Sequence, residues 1–363
     1  SLGFASGMPL FVVLTLLGAY LRKEGVNLKE IGLFSLIMIP YTWKFVWSPL
    51  VDRYNLFHLG RRRSWMLISQ IAVFFSIFLL GQFSPKTSLS VIAVVSVILS
   101  FASATQDIVI DAYRREILTD RELGLGTSLF ITASRASSLV AGGLSLVIAQ
   151  FLSWSDVFFI TAAFMLPALV VTFFIKEPET INAPRNLRQA IIEPFREFKD
   201  RCGLKSMFLI ILFVFCYKLG DSMATALATP FYIDLHYDLL TIGLVAKNAG
   251  LWSMLIGGIL GGVIMLKTGI NKALWYFGFG QLITILGFVI LAHEGIGSDT
   301  APSVFLLAFV IIAECLGAGL GTSAFVAFLS AQTNKTYAAT QFALLTSLSA
   351  VPRTFCNATT GYI

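Results

Sequence analysis

Hydrophobic residues in this chain gather into eleven long runs separated by short polar breaks. They cover residues 2–21, 30–51, 65–83, 88–113, 124–150, 155–175, 206–233, 240–266, 271–292, 302–329 and 336–363. Each approaches or exceeds the roughly 20 residues that a helix needs to cross a bilayer. Strands of a membrane barrel would show short alternating segments instead. The pattern predicts an all-α polytopic membrane protein. The first run begins beside Ser1 and the last reaches residue 363, so both ends read as trimmed, with a twelfth helix missing from this chain. No signal peptide is visible, because more spans follow the first run and no small-residue cleavage site does.

Composition points the same way. Apolar residues make up 56% of the 363 positions and charged residues 13%, against about 25% charged in soluble proteins. The mean hydropathy is +0.81. A net charge of +6 raises the question of nucleic acid, but the placement of the cations answers it. With residues 52–64 facing the cytoplasm, the opposite side holds only Arg22, Lys23, Lys29 and Lys86. Five of the 26 cations lie well inside runs, which leaves 17 on the cytoplasmic side, with Lys272 at the start of its run counted among them. That asymmetry predicts a cytoplasmic N-terminus in a multi-pass inner-membrane protein, its partner the lipid bilayer and not nucleic acid. The four cysteines form no CxxC pair and the three histidines lack ligand spacing. No disulfide scaffold, metal or cofactor is expected.

The longest break, 176–205, carries Pro178, Pro184 and Pro194, and its part Leu187–Phe198 reads as an amphipathic surface helix. It divides residues 1–175, a six-helix half, from 206–363, which supplies five helices of a second half. The loop Ser48-Pro49-Leu50-Val51-Asp52-Arg53, followed by Gly60-Arg61-Arg62-Arg63, resembles the loop motif of major facilitator transporters. Ser48 stands for the motif's first Gly, and several residues separate its two parts. The corresponding loop of the second half, Lys267–Lys272, matches only weakly. The resemblance implies a major facilitator fold with the substrate site between the halves near mid-membrane. Asp52, Arg53, Arg61, Arg62, Arg63 and Arg114 are then expected to form a cytoplasmic gate.

Nine ionisable candidates lie well inside runs: the cations Lys44, Arg135, Lys218, Lys247 and Arg353, and the acids Asp107, Asp111, Asp221 and Glu314. A charge at a helix centre costs roughly 2.5–3.5 kcal/mol on insertion scales, so such residues mark function or a neutralising pair. Asp107, Asp111 and Arg114 follow i, i+4, i+7 and share a helix face. Two like charges so placed repel, and one proton relieves the repulsion, which suits a proton carrier. The alternative is a gate ion pair between Asp111, Arg114 and the arginine cluster. Lys218 and Asp221 stand one turn apart and neutralise each other or form a switchable pair. Glu314, followed by Gly317, Gly319 and Gly321, is a further proton-coupling candidate. Arg135, Lys247 and Arg353 continue polar or small stripes and, with Lys218, Lys44, Gln106, Asn248 and Gln341, are candidates for substrate contact. Lys44 could equally snorkel to the interface. Five cations against four acids suit an anionic solute that enters with protons. Gly3–Gly7 and Gly257–Gly262 read as packing seams.

Further segments extend the resemblance along the whole chain in order. They are Gly3-Phe4-Ala5-Ser6-Gly7-Met8-Pro9-Leu10, Lys44-Phe45-Val46-Trp47-Ser48-Pro49-Leu50, Ala102-Ser103-Ala104-Thr105-Gln106-Asp107-Ile108-Val109, Tyr217-Lys218-Leu219-Gly220-Asp221, Gly321-Thr322-Ser323-Ala324-Phe325-Val326-Ala327 and Ala339-Thr340-Gln341-Phe342-Ala343-Leu344-Leu345. Together they resemble the AmpG muropeptide permeases. That resemblance implies proton-driven import of anhydromuropeptides, anionic glycopeptides, across the inner membrane of a Gram-negative bacterium by a monomer. It also implies service in peptidoglycan recycling, with an influence on β-lactamase induction, and no enzymatic chemistry. Carriers of other anionic metabolites, including acetyl-CoA or a peptide, are the alternative. An intramembrane aspartyl protease is disfavoured because Asp107 and Asp111 share one helix, and a non-transporting receptor is the remaining contrast.

Overall fold

Apolar runs without water as a backbone partner must satisfy their own N–H and C=O groups, and helices do so within one segment. The computed structural model describes residues 1–27, 30–31, 34–178, 186–217, 228–238, 241–295 and 301–359, and among them every long element is a helix. In chain order they are α1 Leu2–Lys23, α2 Ile39–Trp43, α3 Ser48–Arg53, α4 Arg61–Leu80, α5 Pro85–Ile117, α6 Leu123–Ile148, α7 Trp154–Phe174 and α8 Leu187–Tyr217. Then come α9 Ala228–Asp234, α10 Gly250–Thr268, α11 Ile270–Gly295, α12 Val304–Ala331 and α13 Ala338–Thr359. Eight of them are long and apolar enough to span: α1, α4, α5, α6, α7, α10, α11 and α12.

Three departures from the sequence pattern have local causes. The run 30–51 is broken into 3₁₀ turns (Phe34–Met38 and Lys44–Val46) and the short α2 and α3. Pro40 and Pro49 each stand at the first positions of a new helix, where a missing N–H costs nothing. The fourth helix begins at Arg61, four residues before the predicted 65, because Gly60 at φ +103° turns the chain into it. The linker helix runs on past Phe198 into the following span, with Gly203 at φ +75° marking the bend between them. Along its surface part, Leu187, Ile191, Ile192 and Phe195 are exposed while Ala190 and Phe198 are buried.

The chain forms two compact units. One comprises Ser1–Ile117, Ala133–Arg201 and Thr333–Ser347; the other comprises Leu118–Thr132, Cys202–Gln332 and Leu348–Ile363. The first is cored by α1, α4, α5 and α7 residues such as Met8, Leu16, Ile77, Leu99 and Phe158. In α1 and α6 a π-helical turn interrupts the regular ladder, at Val12–Leu17 and Leu139–Leu144, and the two turns meet with Thr15 against Gly142.

Glycines set the closest approaches, as the seams predicted. Gly7 of α1 lies on the Ser134 carbonyl of α6. In the second unit, Gly257 of α10 faces the Leu316 carbonyl of α12, and Gly319 of α12 faces the Met254 carbonyl of α10. A side chain at either position would meet backbone, which cannot yield as a rotamer does. Gly257→Leu is therefore expected to destabilise the protein by about 1–3 kcal/mol, the range for overpacked cores. Thermal unfolding of the detergent-purified protein measures it; an unchanged transition would mean that the seam is loose.

Candidate functional site

Three arginines on the first turn of α4 oppose that helix's own dipole, whose N-terminal end is positive. Carboxylates from elsewhere offset them. Glu177, just beyond α7, accepts the backbone N–H groups of Arg62 (2.7 Å) and Arg63 (3.0 Å) and so caps α4. Arg63 in turn donates to the Thr172 and Phe173 carbonyls at the end of α7, at 3.1 and 2.6 Å. Arg62 is wholly buried. It donates to the Val51 carbonyl (3.1 Å), to Asp52 (2.8 Å) and, through Nε and Nη2, to both oxygens of Glu116. Arg61 reaches the Asp52 carbonyl at 2.5 Å and Glu116 at 3.3 Å.

Asp52, at 0% exposure, holds the far end of this cluster. Its carboxylate accepts the backbone N–H of Ala339 (3.3 Å) and of Thr340 (2.9 Å) and the Thr340 hydroxyl (2.7 Å). A residue of α3 thus caps the N-terminus of α13, almost 300 residues later, where orphan N–H groups and the helix dipole favour an anion. Arg115 donates to the Thr333 carbonyl at 3.1 Å on the approach to α13. The result is a buried charge latch that ties α3, α4, α5 and α13 together. Arg53 stands apart from it, its guanidinium over the Tyr54 ring at 5.1 Å.

One side of α13 is also clasped by the linker helix. Gln341 donates to the Pro194 carbonyl (2.8 Å) and to Glu197 (2.7 Å), and accepts from the Asn334 N–H (2.7 Å). Asn334 donates to the other Glu197 oxygen at 2.9 Å. Gln341, a candidate for substrate contact, has its amide oxygen and nitrogen both engaged here. A hydrogen bond to a charged group contributes about 1.5–3 kcal/mol. Gln341→Ala is accordingly expected to speed amide hydrogen exchange over 187–201 roughly tenfold or more; exchange unchanged there would show that the clasp does not hold the linker.

Deeper in α5, Asp107 accepts the Ser6 hydroxyl of α1 at 2.5 Å. Lys44, only 8% exposed, is a cation close enough to interact with it. Beside them Tyr41 donates to Ser103 (2.7 Å) and Trp47 to Thr105 (3.1 Å). Lys44 is thus buried at the start of the 3₁₀ turn that follows α2, whose Tyr41 bonds to α5. One turn on, Asp111 pairs with Arg114 at 3.0 Å, and that guanidinium lies over the Phe342 ring of α13 at 5.6 Å. The three residues sharing a face therefore divide: Asp107 looks to Ser6 and Lys44, while Asp111 and Arg114 look to each other. Gln106 is fully buried with neither amide atom hydrogen-bonded among the described residues.

In the second unit, Glu314 is 5% exposed, accepts the Cys315 thiol at 3.2 Å and acts electrostatically on Tyr232. Arg135 is half-buried on α6, one turn before its π-helical stretch, and Asn248 is exposed in the π-helical turn Ile242–Ala249 that precedes α10. Lys247 lies in that same turn and Arg353 in α13, and their side chains fall outside what the structure describes. Lys218 and Asp221 lie outside the described residues altogether. A cavity of 760 Å³ between α8, α11 and α12 is walled by Phe213, Tyr217, Trp275, Phe279, Gln281, Phe328 and neighbours, none of them charged. Trp275 and Phe279 are 68% and 59% exposed, so this is an open apolar crevice in the second unit.

Sequence reading missed Glu116, Glu177, Ser6, Thr340 and Phe342 as site residues. Glu116 directly after Arg114-Arg115, and Glu177 directly after a span and a lysine, were the available signals: acids amid a cationic rim.

Comparison with known proteins places this arrangement in a class. Residues 1–355 match the family profile described as Major Facilitator Superfamily. The structure resembles the human organic anion transporter MFSD10, with a TM-score of 0.71, 14% identity, and coverage of 99% of this chain and 92% of that one. It also resembles the proton:xylose symporter XylE, with a TM-score of 0.64, 13% identity, and coverage of 99% and 85%. In sequence, the chain is 46% identical to an uncharacterized protein of Haemophilus influenzae, over 99% of this chain and 86% of that protein. It is 38% identical to the anhydromuropeptide permease of Escherichia coli K12, over 99% of this chain and 72% of the permease. The chain belongs to the major facilitator superfamily and, within it, to the AmpG-type permeases.

Proposed function

We propose that this protein is a proton-driven secondary transporter that imports anhydromuropeptides from periplasm to cytoplasm for peptidoglycan recycling, its cargo influencing β-lactamase induction. The carrying observation is the 38% identity, across 99% of the chain, to a permease named for that cargo. The 17 cations assigned to one side support an inner-membrane protein with a cytoplasmic N-terminus. It works as a monomer, with residues 1–175 and 206–363 as its halves and 176–205 as the linker, and does no chemistry on its cargo.

Asp107 is the first choice for proton coupling, since it is a half-buried carboxyl held by a hydroxyl and near a cation rather than locked in an ion pair. Asp111, Asp221 and Glu314 are the further candidates. Lys44, Arg135, Lys218, Lys247, Arg353, Asn248, Gln106 and Gln341 offer charge and hydrogen bonds to an anionic glycopeptide. The Asp52–Arg62–Glu116 latch, with Arg61, Arg63, Arg114 and, at its edge, Arg53, is the cytoplasmic gate, which breaks and reforms as the carrier cycles.

Uptake of labelled anhydromuropeptide into proteoliposomes under a pH gradient tests the reading. Unlabelled anhydromuropeptide is expected to compete and acetyl-CoA is not. Competition by acetyl-CoA alone would move the protein to the other anion carriers, and binding without accumulation would make it a receptor.

A further inference from the structure

A pocket of 350 Å³ opens beside the latch, with Arg61, Lys176, Lys335, Glu116 and Glu177 in its wall. It sits where three spans end: α4 starts at Arg61, α5 stops at Ile117 and α7 stops at Phe174. Its two acids are already engaged. Glu116 takes the fork of Arg62, and Glu177 takes the N–H groups that begin α4. Its cations keep unused capacity. Lys176 and Lys335 are exposed and form no ion pair among the described residues, and Lys335 only reaches the Glu116 carbonyl at 3.5 Å. The buried Nε of Arg61 has no hydrogen-bond partner among the described residues.

Immediately beside this cationic cup lies bare hydrocarbon. Phe174, two residues before Lys176, is 84% exposed, and Phe173 and Ile117 are exposed as well. A cup of unspent positive charge at the end of spanning helices, with an apolar flank on the membrane side, matches an amphiphile with an anionic head. We propose that this pocket binds the phosphate headgroup of an anionic glycerophospholipid. Arg61, Lys176 and Lys335 hold the phosphate by charge-assisted hydrogen bonds, and Phe174 and Ile117 flank the acyl chains. A zwitterionic headgroup carries its own cation into the cup and fits less well. Because Arg61 and Glu116 belong to the pocket and to the latch, the bound lipid braces the latch from its membrane side.

Native mass spectrometry of the full chain, released from detergent with phosphatidylglycerol or phosphatidylcholine, tests this. Phosphatidylglycerol adducts are expected to dominate. The double variant Lys176→Gln, Lys335→Gln is expected to weaken them roughly thirtyfold, from the lost attraction of two lysines, while Lys176→Arg with Lys335→Arg retains them. Equal adducts with phosphatidylcholine, or full retention by the Gln variant, would overturn the proposal. So would displacement of the lipid by millimolar inorganic phosphate, since the pocket would then serve a soluble anion.

Discussion

Arg62→Ala is expected to destabilise the purified protein by about 3–5 kcal/mol, the range for removing one partner of a buried ion pair. The size follows from what remains behind. Arg62 is wholly buried and bridges two carboxylates, Asp52 at 2.8 Å and Glu116 through two of its nitrogens. Its removal leaves two buried acids without their bridging guanidinium, Arg61 still 3.3 Å from Glu116, and leaves the Val51 carbonyl without its donor. Arg62→Lys is expected to recover little of the loss, because an ammonium cannot make the planar fork that reaches Val51, Asp52 and Glu116 together. Asp52→Ala should be less than additive with Arg62→Ala, since the two act in one network. Chemical unfolding in detergent reads all four proteins; an Arg62→Ala transition matching the parent would show that the cluster carries no stability.

Asp107→Asn is expected to abolish accumulation while leaving exchange. Gradient-driven uptake should fall to an inside-to-outside ratio of about one, because a carrier without linkage to protons only equilibrates its cargo. Counterflow of labelled anhydromuropeptide should persist. Asparagine keeps the size and can still accept from Ser6, so the Ser6 contact at 2.5 Å survives in form. Asp111→Asn differs in kind. It leaves the buried Arg114 without its 3.0 Å partner, so loss of stability should accompany any loss of transport. Glu314→Gln tests the second unit in the same assay. If all three variants accumulate cargo normally, proton coupling lies elsewhere, with Asp221 next to be examined.

How far the site could be read in advance differs from residue to residue. Asp107 was legible because a carboxylate in the middle of an apolar run is conspicuous, and its neighbours Lys44 and Gln106 for the same reason. Asp52 and Arg62 were legible as a loop motif. Their actual partners were not. Nothing near residue 52 announces that its carboxylate caps a helix beginning at Ala338, because caps are normally sought within a turn of the helix they close. Glu116 and Glu177 looked like ordinary loop acids in a cationic rim. Gln341 read as a neutral polar residue within a span, when it lies in the first turn of α13 and ties the linker helix down through Pro194 and Glu197.

Sequence by itself determined the class of this protein: its bilayer environment, its helical content and its charge asymmetry. Each of these is a sum over many residues along one chain, and hydrophobic length and cation placement act without regard to which helix meets which. Tertiary structure alone decided the pairings. Whether Arg62 meets Glu116 or Asp52 meets α13 depends on side chains converging from segments far apart in sequence, and a buried charge takes whichever partner the packing delivers. The breaks at Pro40 and Pro49, the start of α4 at Gly60 and the bend at Gly203 belong in between. Their residues were visible, but only the surrounding helices selected where each would turn the chain.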